Sequence, residues 1–307
     1  MRFAVFITLV VLTLGCSPSQ ERVANSTAPT ADERAEKLNK QKGSVAKFFK
    51  PMKIEEGDWL ESQSESGETF EQYIASNPTL PTADRRTIYI QPIGTFTSEQ
   101  RKAIRLTADY MKVFYNLPVK LNADRQLGNV PADLKRESGY PKRTQIRTQY
   151  FLDDVLPKLL KDDAAALIAF TNSDLYPGDT WAFVFGQATL QSRVGVWSLA
   201  RLSDLARNKP NAFLDRTLKI AMHETGHMFS MRHCTKYECL MSGTNHLAET
   251  DRRPLDNCPE CMAKLAWATN YDPTERYKNL AAFWRKNGRS AEAKQFDDMA
   301  KAVGPAN

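Results

Sequence analysis

Two histidines and a glutamate in the second half of the chain have the spacing of a metal-dependent hydrolytic site. His223 and His227 are four residues apart, so on a helix they lie one turn apart and can bind one metal ion. Glu224 lies beside that face and can reach a metal-bound water without being a ligand itself. His233 follows six residues after His227, so the chain must turn before His233 can complete the site.

Three neutral imidazoles with a fourth position left open are typical of catalytic zinc. Zinc lowers the pKa of a bound water to about 7, and Glu224 would act as the general base when that water attacks a carbonyl. The alternative is a helix that carries two solvated histidines. The glutamate and the third histidine at matching spacing favour the metal site over this alternative.

Four cysteines follow in two close pairs, Cys234 with Cys239 and Cys258 with Cys261. Pairs of this kind, separated by a loop, suit a tetrahedral zinc site with no open position. Because His233 and Cys234 are adjacent, they would bind two different ions, and the closed site would anchor the chain that carries His233. Two disulfides are the alternative in an exported protein. The prediction is two zinc ions per chain, one catalytic and one structural.

The motif HETGHMFSMRHC, followed by Cys239-Leu240-Met241 and by Cys258-Pro259-Glu260-Cys261, resembles the archaemetzincins. They are a branch of the metzincins with an additional four-cysteine zinc site. The resemblance covers roughly residues 57–283. It implies an α/β fold of the zincin type, with a mixed twisted sheet, an active-site helix and a small C-terminal zinc-bound subdomain. It also implies a zinc metallopeptidase that acts on peptide or protein substrates. Further matching segments are 90–94, 173–176, 183–187, 245–247 and 251–255.

The resemblance also assigns residues around the metal. In metzincins an edge strand above the zinc binds an extended substrate by strand addition. Here that strand would be Phe183, Val184, Phe185 and Gly186, and an interior strand without a ligand role is the alternative. Met241 would form the methionine turn beneath the catalytic zinc, where its expected contribution is apolar packing.

Ser230 departs from the resembling family, which has glycine where the active-site helix ends in a sharp turn. Left-handed backbone angles cost a residue other than glycine about 1–2 kcal/mol. Either serine is tolerated at that cost or the helix ends differently. For this reason a zinc-loaded peptide-binding protein with little or no peptidase activity is the alternative function. His246 is interpreted as a hydrogen-bonded structural residue, with a cleft residue as the second interpretation.

The elements that must position these residues follow an α/β order. Strands are predicted at 87–93, 165–171, 183–186 and 194–199. Helices are predicted after a capping box at 97–100, over about 146–160, from an N-cap at Asn211, over 262–268, and as a hairpin at 275–285 and 291–302.

The first sixteen residues predict export. Arg2 and a short apolar run precede Gly15-Cys16, which resembles a bacterial lipobox with Cys16 as the lipidated residue. Ser17 indicates the outer membrane of a bacterial cell envelope by resemblance to lipoprotein sorting rules; an ordinary cleaved signal is the alternative. Residues 17–47 are polar and predict a flexible tether. A catalytic domain is then expected over 48–272 and a C-terminal helical hairpin over 273–307.

The charge of the chain restricts its partners. The formal net charge is +6, and the basic residues are spread along the chain without a basic block. Nucleic acid is therefore not an expected partner. Contact with the membrane is expected only through the N-terminal lipid, and the protein is expected to be a monomer.

Overall fold

Two β-sheets lie within the part of the protein that the computed structural model describes, residues 30–139 and 142–304. The larger has the order β2-β1-β5-β8-β7, parallel except for the edge strand β7, and the smaller has the order β3-β4-β6. The strands are β1 Thr87–Ile93, β2 Val119–Leu121, β3 Lys135–Glu137, β4 Thr144–Arg147, β5 Ala164–Thr171, β6 Asp174–Tyr176, β7 Gly186–Ala188 and β8 Val194–Ser198.

Helices pack against the larger sheet, and further helices follow its last strand in the C-terminal part of the chain. The mixed sheet and its helices confirm the predicted fold class. The helices are α1 Ala31–Val45, α2 Trp59–Ser62, α3 Phe70–Ala75, α4 Ser98–Tyr115, α5 Ser203–Asn208, α6 Pro210–Met228, α7 Leu247–Arg252, α8 Pro259–Thr269, α9 Pro273–Lys286 and α10 Ser290–Val303. Within the described residues, no helix has the length and apolar content that crossing a bilayer requires.

The central strands β1 and β5 are buried along their whole length, as parallel strands covered on both faces usually are. Side chains alternate between two apolar clusters. Ile88 and Ile90 belong to the cluster that also holds residues of α4, α6 and the C-terminal helices. Tyr89 and Leu167 belong to the cluster on the other face. The sequence predictions for β1, β5 and β8 are confirmed.

The active-site helix α6 begins at Pro210 with Lys209 as its N-cap, so the N-cap predicted at Asn211 is wrong and Asn211 lies inside the helix. Proline suits the first helical position because its backbone angle is already helical and that position needs no N–H donor. The helix buries Leu218 and Met222 against the sheet and α4, which leaves His223 and His227 facing the cleft.

The helix predicted over about 146–160 is present only in part. Strand β4 extends to Arg147 and its residues 145–147 pair with β6, and the helix covers residues 148–155, of which Tyr150–Val155 is a π-helix. The apolar spacing resembles that of a helix, but pairing with β6 determines the backbone. Pro157 cannot donate a helical hydrogen bond, so the helix ends before it.

The tether predicted over 17–47 is wrong for residues 30–47. Helix α1 begins with a capping box formed by Thr30 and Glu33, and it buries Leu38 and Val45 against α8 and α10. Few apolar residues suffice here because they all lie on one face of the helix. Residues 17–29 lie outside the described residues, as does the export signal of residues 1–16.

Residues 50–79, here called the N-terminal arm, lie against the cysteine-rich region and the end of α6. The N–H of Met52 donates to the carbonyl of Lys236 (3.0 Å), and Lys264 pairs with Glu68 (3.0 Å) in a buried ion pair. The Tyr73 hydroxyl donates to the carbonyl of Phe229, at 2.6 Å. The arm is thereby fixed to the region that carries the candidate site.

The predicted C-terminal hairpin is present as α9 and α10. Arg276 of α9 is fully buried, pairs with Asp256 (2.7 Å) and donates to the carbonyl of Phe114 of α4 (2.8 Å). The hairpin therefore supports the helical side of the fold. None of the hairpin residues from Pro273 to Val303 lines the cleft described below.

Candidate active site

The three histidines predicted from sequence lie together at the base of a cleft. The Nε2 atoms of His223 and His227 are 3.0 Å apart, as one turn of α6 places them. The ring of His233 lies 5.2 Å from that of His223 and 5.0 Å from that of His227, centre to centre. One nitrogen from each of the three rings lies within 4.8 Å of the others.

The other nitrogen of each ring has an oxygen partner. Nδ1 of His223 lies 2.9 Å from the carbonyl oxygen of Leu240, and Nδ1 of His227 lies 2.7 Å from that of Met231. Nδ1 of His233 lies 2.9 and 3.0 Å from the two carboxylate oxygens of Glu65. Metal-binding histidines are usually oriented by partners of this kind.

These partners determine the protonation of the rings. Carbonyl and carboxylate oxygens only accept hydrogen bonds, so each Nδ1 must donate, and each neutral ring then presents a lone pair at Nε2. Burial lowers the pKa of His227 to about 4 and lowers that of His223 well below its usual value. Two lone pairs that face each other at 3.0 Å repel unless a cation lies between them. The donor set therefore fits zinc.

Glu224 lies beneath the edge strand β7. Its side chain is buried, and burial raises its pKa to about 8. A methyl group in place of the hydrogen of Gly186 would lie 2.7 Å from Oε1 of Glu224, so only glycine leaves room for the carboxylate at this position. A cation among the histidines would lower this pKa and favour the carboxylate form.

With Glu224 as the general base predicted from the sequence, Gly186→Ala is expected to displace its carboxylate and to lower kcat by about 100-fold, the cost of misplacing a reacting group by roughly 1 Å. Peptide hydrolysis at saturating substrate measures it, with Gly178→Ala as the control because a methyl group there meets open space. Unchanged kcat in Gly186→Ala would contradict the contact. Zinc content should be the same in both variants.

Ser230 takes the left-handed conformation that the family's glycine would take, with φ of +62°. Its hydroxyl donates to the carbonyl of Leu190 (2.7 Å) and accepts from the N–H of Thr79 (2.9 Å). Two net hydrogen bonds contribute about 1–3 kcal/mol, which offsets the cost of about 1–2 kcal/mol for the backbone. Serine is thus accommodated, and His233 reaches the other histidines.

Ser230→Ala is expected to lower the free energy of unfolding by about 1–3 kcal/mol, because it keeps the backbone cost and removes both hydrogen bonds. Ser230→Gly removes the hydrogen bonds and the backbone cost together, so it should stay within about 1 kcal/mol of the wild type. Urea unfolding of the two variants measures the difference. An alanine variant as stable as the glycine variant would contradict the compensation.

Met241 packs directly beneath the histidines. A methyl group on Gly226, between the two helical histidines, would overlap its sulfur. Met241 is almost fully buried, and the carbonyl of Leu240, its neighbour, is the partner of His223. The structure thus places Met241 in the position that the resemblance implied, with an apolar packing role.

The four cysteines converge in a buried cluster below the histidines. All four thiols are free, and their sulfurs lie within 4.8 Å of one another, with 3.6 Å between Cys234 and Cys258. A disulfide requires about 2.05 Å, whereas four sulfurs on one zinc ion are about 3.8 Å apart. Backbone N–H groups of Met241 and Cys258 also point at the sulfur of Cys239. The cluster therefore fits zinc and not the disulfide alternative.

The cleft above the histidines has a volume of about 520 Å³. Phe183, Val184, Phe185 and Gly186 all line it, as predicted. Only Gly186 belongs to the edge strand, however, because β7 begins there and Val184 makes an isolated bridge to β6 instead. The strand predicted over 183–186 is thus displaced towards the C-terminus.

His246 has the hydrogen-bonded structural role. Its Nδ1 accepts from the N–H of Glu249 (3.1 Å) and caps helix α7, and its Nε2 lies 3.5 Å from Asp58. It does not line the cleft.

Comparison with known proteins identifies the family. The model of peptidase family M54 matches residues 92–267. Archaemetzincin-2 of Macaca fascicularis is 34% identical over 281 residues, which cover 79% of this chain and 76% of that protein. This chain belongs to the archaemetzincins. Archaemetzincin-2 of Homo sapiens has the same identity and coverage. The crystal structure of archaemetzincin from Methanopyrus kandleri is 26% identical with a TM-score of 0.50, and the match covers 62% of this chain and 99% of that one.

Membership in peptidase family M54 makes the protein a zinc-dependent metallopeptidase. The contributions of Glu65 and Trp59 to this archaemetzincin's site were not predicted from its sequence. Glu65 contacts His233, and Trp59 lines the cleft, with its ring 5.2 Å from that of His233 and 5.7 Å from that of Trp181. Both belong to the N-terminal arm, at least 168 residues from His233 in sequence. No local pattern in the arm indicates these contacts.

Proposed function

We propose that this archaemetzincin hydrolyses peptide bonds with Glu224 as the general base and with one zinc ion held by His223, His227 and His233. The observation that carries the proposal is the convergence of three Nε2 lone pairs beside a buried glutamate in an open cleft. A second zinc ion, held by the four cysteines, has a structural role.

Zinc and Glu224 would have separate roles in the proposed reaction. Zinc in the histidine cluster supplies a Lewis acid for the attacking water and for the substrate carbonyl. Glu224 accepts a proton from the attacking water at a carboxylate oxygen and later delivers it to the leaving nitrogen. The lack of a side chain at Gly186 leaves room for that carboxylate. The cleft restricts the access of bulk water to Glu224, which is almost fully buried.

The edge strand β7 would bind the substrate. Among the described residues β7 pairs with β8 alone and lies at the end of the sheet, so its other edge is available to an extended peptide. Strand addition supplies main-chain hydrogen bonds that do not depend on side chains. Because Glu224 lies against Gly186, a peptide on this edge passes over the catalytic group.

The cysteine zinc would fix the position of His233. The N–H of Cys234, the residue after His233, donates to the carbonyl of Met241 at 2.9 Å. This bond joins the third histidine, the cysteine cluster and the methionine turn. A closed tetrahedral site at Cys234 would therefore keep the backbone of His233 in place.

Peptide cleavage tests the proposal against the zinc-loaded binding protein. The serine that motivated this alternative adopts the required turn, which favours the peptidase. A peptide library incubated with the purified protein should yield cleavage products, and a strong chelator should stop their formation. Peptide binding without cleavage, with both zinc ions present, would support the alternative instead.

We also propose that the protein is exported to the bacterial cell envelope and anchored through lipid on Cys16. The support is the sequence of residues 1–16, which lies outside the described residues. Mass spectrometry of the mature N-terminus should show an acylated cysteine, and an unmodified residue would contradict the anchor. Light scattering tests the expected monomer.

A further inference from the structure

The three histidines differ in how their rings are held. His223 and His227 stand on α6, and their Nδ1 groups donate to backbone carbonyls. His233 lies outside regular secondary structure, and its Nδ1 partner is a side chain, Glu65 of the N-terminal arm. We infer that Glu65 is a positioning residue that orients His233 for zinc, an inference that rests on the proposed function of the three histidines.

The contact suits this role chemically. Both oxygens of Glu65 lie within 3.0 Å of Nδ1 of His233, so the ring donates to a charged acceptor. Such hydrogen bonds are roughly twice as strong as those to a neutral acceptor. A carboxylate at Nδ1 fixes the tautomer and makes Nε2 a better ligand, and losing such a partner typically costs 10–100-fold in metal affinity.

Glu65 is itself held in place from both sides. Before it, the backbone N–H of Trp59 donates to the carboxylate of Glu249, and the Trp59 ring packs against Gly243 and His233. After it, Glu68 pairs with Lys264, a buried lysine of α8. The stretch between residues 59 and 68 is therefore fixed at both ends, so Glu65 can restrict the ring of His233.

Glu65 and the rest of the N-terminal arm precede the part of the chain that the family model matches, which begins at residue 92. Two histidines obtain their Nδ1 partners from inside that region, at Leu240 and Met231, and the third does not. On this inference, retention of the catalytic zinc depends on a segment that precedes the residues matched by the family model, within the wider resemblance over 57–283.

Metal affinity of the full chain tests the inference. Three variants are compared: Glu65→Gln keeps an acceptor but no charge, Glu65→Leu keeps neither, and Glu56→Gln removes the charge of an exposed glutamate of the same arm. Zinc affinity of the histidine site is measured by chelator competition. We expect about a tenfold loss for Glu65→Gln, about 100-fold for Glu65→Leu and none for Glu56→Gln.

Cobalt substitution distinguishes orientation of the ligand from a general structural effect. Cysteine-bound cobalt has intense thiolate charge-transfer absorption that histidine-bound cobalt lacks, so each site is followed separately. We expect both Glu65 variants to change the absorption of the histidine site alone. Unchanged affinity and spectrum would overturn the inference, and so would loss of both metals together, which would assign Glu65 to folding. Wild-type protein without metal at the histidines would contradict the proposed function as well.

Discussion

Glu224→Gln is expected to lower kcat for peptide hydrolysis by about 10²–10⁴-fold while the zinc content stays unchanged. Glutamine has nearly the same shape, and Glu224 is not itself a proposed ligand, so both metal sites should remain intact. What the variant loses is the group that accepts the proton of the attacking water. Steady-state kinetics with a cleaved peptide, together with metal analysis, measures both quantities.

A control is Glu99→Gln, which makes the same change at an exposed glutamate in the first turn of α4. It does not line the cleft, so its replacement should leave both kcat and zinc content unchanged. Turnover by Glu224→Gln at the wild-type rate would overturn the assignment of the general base. Loss of zinc from Glu224→Gln would make that residue a ligand instead.

Cys261→Ser is expected to remove zinc from the cysteine cluster and, with it, most of the zinc at the histidines. Structural zinc contributes about 10–16 kcal/mol in small zinc-finger peptides, comparable to the whole stability of a domain, about 5–15 kcal/mol. Because Cys234 adjoins His233, loss of the cluster should release the third histidine. Thermal unfolding and metal analysis should show a large fall in Tm and less than one zinc ion per chain.

Met262→Leu is the control for this variant. Met262 is the fully buried neighbour of Cys261 on α8, and a volume-conserving exchange there should cost less than about 1.5 kcal/mol. It should retain both zinc ions. A Cys261→Ser protein that keeps wild-type Tm and a full histidine site would show that the cluster does not anchor His233.

The chemical centre of the site could be predicted from sequence because its parts are close in the chain. His223 and His227 share one turn of α6, and His233 and Cys234 are adjacent, so helix geometry and ligand spacing predict their convergence. Ser230 was the uncertain residue. Only the structure shows that hydrogen bonds to Leu190 and Thr79 accompany its left-handed conformation.

The parts that were wrong or missed depend on contacts between distant residues. Residues 145–147 form a strand because β6, nearly thirty residues later, pairs with them. Helix α1 is stable because α8 and α10 cover its apolar face. Glu65 contacts His233 across 168 residues, and nothing near either residue indicates the other. Local patterns do not specify such pairs, because burial and pairing in the folded chain decide them.

Anomalous diffraction at the zinc absorption edge, from crystals of the purified protein, tests the central claim most directly. We predict one peak about 2.0–2.1 Å from Nε2 of His223, His227 and His233, with no fourth protein ligand. A second peak should lie about 2.3 Å from the four cysteine sulfurs. A crystal structure with His233 turned away from the other two histidines, or with a fourth protein group closing their zinc site, would contradict the account.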